Sequence, residues 1–191
     1  MRKVLIAHNA LFKVPARLEF LATINSGIGQ FSQIGKFLTV YPRSTTEAVA
    51  LARALHTATR GLRGPEIPFD ARYRRNSVVY YRYGAFRNSK KSARLAGELI
   101  DDKGRRCQDR RAAGYAVPRW LVDPFQRADA TRAKPFSSRG LIGTDYLVFR
   151  AIVQRGKGGV YEAVDLSVSP ARLVIIKEGR REGETAWDGR D

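Results

Sequence analysis

With 191 residues, 43% of them hydrophobic, the chain can bury one full domain and part of another. Lys and Arg outnumber Asp and Glu by 35 to 18, giving a net charge of +17, with 26 Arg to 9 Lys spread along the whole sequence. No apolar run approaches the roughly 20 residues that cross a bilayer, the stretch behind Met1 is too short for a secretory signal, and the single Cys107 excludes an internal disulfide.

A cytoplasmic protein with no membrane partner is therefore expected. So basic a chain attracts nucleic acid, acidic surfaces or phosphorylated substrates through one long-range field. Nucleic acid is not the expected partner, because no zinc-finger spacing, helix-turn-helix signature or aromatic RNA-binding strand is present. Scattered arginines on solvated faces and a focused anion site remain competing explanations of the charge.

Residues 1–8 read as the tail of a helix, and Leu11-Phe-Lys-Val14 as a short strand stopped by Pro15. Arg17 to Ile24 predicts a short helix closed by Gly27 and Gly29. Gly35-Lys-Phe-Leu-Thr-Val-Tyr41 predicts a strand ended by Pro42. Ser44-Thr-Thr-Glu47 is a capping box, in which hydroxyl and carboxylate each satisfy a free backbone N–H. Behind it Ala48, Leu51, Ala52 and Leu55 recur at helical spacing up to Gly61. His56, near the end of that helix, reads as a surface or cap-region histidine. Val78 to Tyr83 predicts another strand.

Leu99 to Gly104 predicts a strand edge turning at Asp102-Lys-Gly104, with Arg105 to Asp109 as its return. Gln126 to Gly140 is polar, basic and without periodicity, which marks a linker. Beyond it the pattern is purely β: Asp145 to Val153, a glycine-rich turn, Val160 to Leu166, and Arg172-Leu-Val-Ile-Ile-Lys177. Such a sheet requires something to cover its apolar face.

Strand, glycine loop, strand, turn and a strand ending in Val174-Ile-Ile-Lys177 resemble the opening of a protein kinase N-lobe. The valine-to-lysine distance, Val160 to Lys177, is 17 residues. The resemblance implies a nucleotide site built from Gly158, Val160 and Lys177, with the lysine reaching the α- and β-phosphates. Of the family's G-x-G-x-x-G-x-V glycines only Gly158 is in place. Val153 and Arg155 stand at the other two positions, and Gly156 and Gly159 are off register. No H-R-D or D-F-G segment follows. ATP and Mg are thus expected in a parent enzyme and not on this chain.

Gly35-Lys-Phe-Leu-Thr-Val-Tyr-Pro42, Gly64-Pro65, Tyr80-Tyr-Arg-Tyr-Gly-Ala-Phe86, Asp123-Pro-Phe125, Gly158-Gly-Val-Tyr-Glu-Ala-Val-Asp165, Ile176-Lys-Glu-Gly-Arg180 and Trp187-Asp-Gly-Arg190 occur in one order. In that order they are similar to the N-terminal region of class III lanthipeptide synthetases. The resemblance implies an enzyme of lyase, kinase and cyclase parts. The kinase phosphorylates Ser and Thr of a precursor (leader) peptide. The lyase removes the phosphate to leave dehydroalanine or dehydrobutyrine, without a metal or other cofactor, and cysteine thiols then close thioether rings.

Elimination needs a base for the α-proton, an acid for the departing oxygen and cations for a phosphate whose charge nears −2. Lys13, in the apolar run Leu11-Phe-Lys-Val14, matches the lysine of the family's Phe-Lys block and is the expected base. Lys36 and Arg82 are the expected phosphate binders, Arg82 because a planar guanidinium holds two oxygens at once. Tyr80 or Tyr81 is expected to orient the phosphate. Against each stands a snorkelling surface side chain. The family carries a Lys-x-His strand ahead of the opening helix. This sequence begins inside that helix, and neither His8 nor His56 follows a Lys-x pattern, so the chain by itself is expected not to eliminate phosphate.

The expected fold is therefore α+β. A lyase-like domain spans 1–126, a linker 127–144, and the incomplete antiparallel sheet of a kinase N-lobe 145–191. The rival expectation is a non-catalytic basic module that binds nucleic acid or an acidic peptide by charge.

Overall fold

In the computed structural model, residues 1–26, 31–84, 98–109, 117–125, 141–180 and 182–183 are described. They form a mixed α+β arrangement of short helices and antiparallel strands. Of the linker expected over 127–144, residues 127–140 lie outside the described residues, and Leu141–Ile142 form a short strand.

Helix α1 (Arg2–Ala7) buries Leu5 and lies against α3 (Thr45–Ala58). Between them come β1 (Leu11–Lys13), α2 (Leu18–Ser26), a 3-10 turn at Phe31–Gln33, and β2 (Thr39–Tyr41). Strand β1 pairs with β2, setting Lys13 opposite Thr39. The strand expected from Gly35 begins only at Thr39. Gly35 has φ +77, and the Lys36 amide closes a turn by donating to Gln33 O at 3.0 Å. A backbone in the left-handed region cannot continue a ladder.

Helix α3 bears out the capping pattern with one change. Ser44 Oγ accepts from the Glu47 amide at 3.1 Å, but the Glu47 carboxylate reaches past Ser44 to the Arg43 amide, at 2.6 Å. That hydrogen bond and the Arg43 guanidinium hold the Glu47 carboxyl below its ordinary range. Arg43 Nη2 also donates to His8 O and Asn9 O, which ties the end of α1 to the start of α3. Leu51, Ala52 and Leu55 form the buried stripe, and the helix stops at Thr59, two residues before Gly61.

Two small hairpins follow. In the first, β3 (Ala71–Arg72) pairs with β4 (Tyr80–Tyr81), opposing Ala71 to Tyr81 and Arg72 to Tyr80. Its strand is far shorter than the Val78–Tyr83 run suggested. In the second, β5 (Glu98–Ile100) pairs with β6 (Arg106–Gln108), around the turn at Asp102-Lys-Gly104. Asp101 stabilises that turn by accepting from the amides of Lys103 and Arg105. A core of Ala52, Tyr73 and Phe125, with Ala48, Val49, Val79 and Tyr81 against it, joins α3 to the first hairpin.

Strands β7 (Leu141–Ile142), β8 (Tyr146–Arg155), β9 (Gly158–Asp165) and β10 (Arg172–Lys177) make a four-stranded antiparallel sheet in the order β10-β9-β8-β7. Central strand β9 buries Tyr161 and Ala163, while Phe149, Leu173 and Ile175 on its neighbours are exposed. The apolar face expected to need a cover is largely bare among the described residues. No helix among them is long and apolar enough to cross a membrane.

Candidate functional site

The first hairpin and the segment 66–72 leading into it collect three of the expected phosphate-site residues. Lys36 sits on the turn before β2, and that turn is laid directly on the segment. A Cβ at Gly35 would stand 2.8 Å from Glu66 O and 3.1 Å from Ile67 Cγ1. From there Lys36 Nζ reaches Asp70 at 2.9 Å, with both side chains largely buried. Arg82, just past β4, sends Nη1 to Phe69 O at 3.3 Å and Nη2 to Asp109 Oδ1 at 2.7 Å. Lys36 and Arg82 are thereby anchored to the consecutive residues Asp70 and Phe69.

Tyr80 belongs to the same group. Its ring lies under the Arg72 guanidinium, 4.8 Å away, and Arg72 in turn pairs with Glu66 at 3.0 Å. Its hydroxyl is buried with no hydrogen-bond acceptor among the described residues, and the Ile67 backbone approaches its oxygen. Burial pushes the phenol up to about 12, with Glu66 and Asp70 adding to the rise against the pull of Arg72. The hydroxyl therefore keeps its proton at neutral pH and is a donor lacking an acceptor.

Tyr81 faces the other way, as alternation along a strand requires. Its ring sits 4.0 Å from that of Phe125 and its hydroxyl donates to Asp123 Oδ2 at 3.0 Å. Asp123 Oδ1 accepts from the Phe125 amide at 2.9 Å, so the Asp123-Pro-Phe125 block serves to lock Tyr81 into the core. Lys13 stands on the exposed strand β1, joined to the group only through the pairing of β1 with β2, whose first residue lies three past Lys36. The carboxylates Glu66, Asp70 and Asp109 went unnoticed in the sequence. They lie 6 to 34 residues from their cations, and no local pattern links them.

In the C-terminal sheet, Lys177 is the direct cross-strand partner of Val160. The glycines of the adjoining turn have a structural employer. Gly158 has φ +136, and a Cβ there would stand 1.9 Å from Glu178 O. One on Gly156 would lie 2.0 Å from Gly183 O and 2.1 Å from Asn25 O. The chain after β10 runs back over the turn, where the Glu178 amide donates to Gly159 O at 2.8 Å and the Arg180 amide to Lys157 O at 2.7 Å. Glu178 receives both Tyr161 Oη, at 2.9 Å, and a two-pronged Arg180 guanidinium.

Among the described residues no group of three His, Cys, Asp or Glu side chains could hold a metal ion. Residues 1–135 match the family model of the RamC N-terminal domain. Over 160 residues the chain is 31% identical to a probable SapB synthase of Streptomyces coelicolor, a stretch that covers 82% of this chain and 17% of that protein.

Proposed function

We propose, given that the chain belongs to the family of the RamC N-terminal domain, that residues 1–126 hold a phosphorylated Ser or Thr of a precursor peptide for loss of the phosphate, as one part of a lanthipeptide synthetase. The observation that carries this reading is the meeting of Lys36, Arg82 and the unpartnered Tyr80 hydroxyl on the single segment 66–72.

In the reaction a base takes the α-proton, the C–H electrons become the second Cα–Cβ bond, and the Cβ–O bond breaks to release phosphate with its electron pair. The departing oxygen takes a proton from a general acid. Lys13 is assigned as base. Lys36 and Arg82 would leave Asp70 and Asp109 for the phosphate oxygens, a charge-assisted exchange of one oxyanion for another. Tyr80 would donate its hydrogen bond to the same group. The balance of the step calls for no metal or redox cofactor.

The sheet from 141 to 177 is read as the beginning of a kinase N-lobe. The backbone that a phosphate would need at Gly156 and Gly158 is packed by Glu178, Gly183 and Asn25. We therefore assign ATP and Mg to a parent enzyme, and calorimetry on this chain is expected to find no ATP affinity tighter than about 1 mM. Micromolar, Mg-dependent binding would overturn that assignment.

The test of the main reading is binding of a phosphoserine peptide against its serine counterpart, with Arg82→Lys and Lys36→Gln alongside. Wild type should prefer the phosphopeptide and both variants should lose the preference. A loss no larger than that of an exposed Arg75→Gln change would favour the diffuse basic module instead. Mass spectrometry of the same mixtures reads whether phosphate is also eliminated.

A further inference from the structure

Three cations of the phosphate group each meet a carboxylate: Lys36 with Asp70, Arg72 with Glu66, and Arg82 with Asp109. At the other end of the same hairpin the pattern is reversed. Where the C-terminal end of α3 meets the turn between β3 and β4, His56 packs edge-on against Tyr73, with ring centroids 5.7 Å apart. The guanidinium of Arg74 lies over that same Tyr73 ring at 5.4 Å. Among the described residues Arg74 Nε is buried without a hydrogen-bond partner. Arg60, one residue past the cap of α3, is exposed, and its charge acts on His56 together with that of Arg74.

His56 is held in place by Ser77. Its Nδ1 lies 2.9 Å from Ser77 Oγ, which also accepts from the Val79 amide at 3.1 Å. Ser77 is buried, so that side of the ring is fully engaged, and among the described residues Nε2 has no partner. The groups facing His56 are thus Ser77, the Tyr73 ring, Arg74 and Arg60. Among the described residues none of the three basic side chains meets a carboxylate.

We propose that Arg74, Arg60 and His56 form a receptor for a carboxylate, the side chain of an Asp or Glu in a peptide that passes the C-terminal end of α3. A carboxylate accepts two parallel N–H bonds from a guanidinium, and the exposed Arg60 and half-buried Arg74 offer such donors. It would also relieve the repulsion among three basic groups. Burial, then Arg74 and Arg60, lower the proton affinity of His56; a bound anion reverses the second and third of these causes. The inference does not depend on lyase chemistry, since Arg82 and Lys36 belong to a different group. A phosphate oxyanion shares the recognition chemistry, so the two ligands are tested side by side.

The experiment is an NMR titration of the chain with a blocked tetraglutamate peptide, and separately with inorganic phosphate, following the His56 ring signals. Saturable peptide binding with a rise in the His56 pKa is expected. Arg74→Gln and Arg60→Gln should each weaken it about ten-fold, the usual cost of losing a charged hydrogen bond. Arg75→Gln, which removes the same charge from an exposed neighbour, should change it by less than about two-fold. Equal weakening by all three variants would reduce the site to a diffuse field and overturn the proposal. So would absent saturation, an unmoved His56, or tighter binding of inorganic phosphate than of the peptide. Arg60 is exposed, so Arg60→Gln keeps the test valid even where Arg74→Gln disturbs folding.

Discussion

The region before residue 126 and the sheet after residue 140 solve their folding in opposite ways. The sheet has three long strands joined by extended ladders, with two register shifts between β8 and β9, and its tightest glycine contacts are backbone against backbone. The N-terminal region has strands of two or three residues, too short to be stable alone, and depends on side chains sent across long stretches of chain. Lys36 to Asp70, Arg82 to Asp109 and Tyr81 to Asp123 join segments 34, 27 and 42 residues apart. Where ladders hold a fold, glycine positions are decisive. Where polar side chains hold it, each removed partner leaves a buried charge behind.

The largest expected effect tests the second half of that contrast. Arg82→Leu leaves Asp109 buried with its main cation gone, and urea unfolding should show a loss of about 3–5 kcal/mol. The double variant Arg82→Leu, Asp109→Leu should recover much of it. If the single variant costs no more than the double, the pair does not hold the region together.

Glycine substitutions test the first half. Gly158→Ala meets Glu178 O in a left-handed backbone, and a loss of about 3 kcal/mol is expected from strain and displacement together. Gly61→Ala shares the positive φ but has nothing within 4 Å, so only the conformational cost of about 1 kcal/mol should appear. Equal losses at the two positions would mean that packing over the turn contributes nothing.

A smaller effect sits at the start of α3. Ser44→Ala removes the cap on the Glu47 amide and should cost about 1 kcal/mol in thermal unfolding. Glu47→Gln should cost less, because its hydrogen bond with Arg43 is exposed.

The smallest effect is one of pH. His56 has its proton affinity lowered in the folded chain, so the unfolded chain binds more protons near neutrality and stability rises with pH. That contribution is complete above the ordinary histidine value of about 6.5 and is lost as pH falls from there through the lowered value of the folded chain. Melting temperatures at two pH values on either side should show the drop, and His56→Gln should flatten it. A His56→Gln chain that keeps the full slope would assign the effect to other groups.

What the sequence determined was whatever rests on neighbours in the chain. The capping residues of α3, its buried stripe, the Asp102-Lys-Gly104 turn and the three long strands of the sheet all depend on spacings of a few residues, and all are present. The ordered blocks carried the family for the same reason, since each is a local string. Tertiary structure decided the rest. It stopped the strand expected from Gly35, because the left-handed turn there is laid on Glu66 and Ile67. It separated Tyr80 from Tyr81, one beside the cations and one in the core, a choice of face that two adjacent tyrosines cannot announce. It supplied Lys36 and Arg82 with Asp70 and Asp109 and left Arg60 and Arg74 with no carboxylate among the described residues. Charge pairing of that kind depends on which distant segments pack together, and no periodicity in the chain records it.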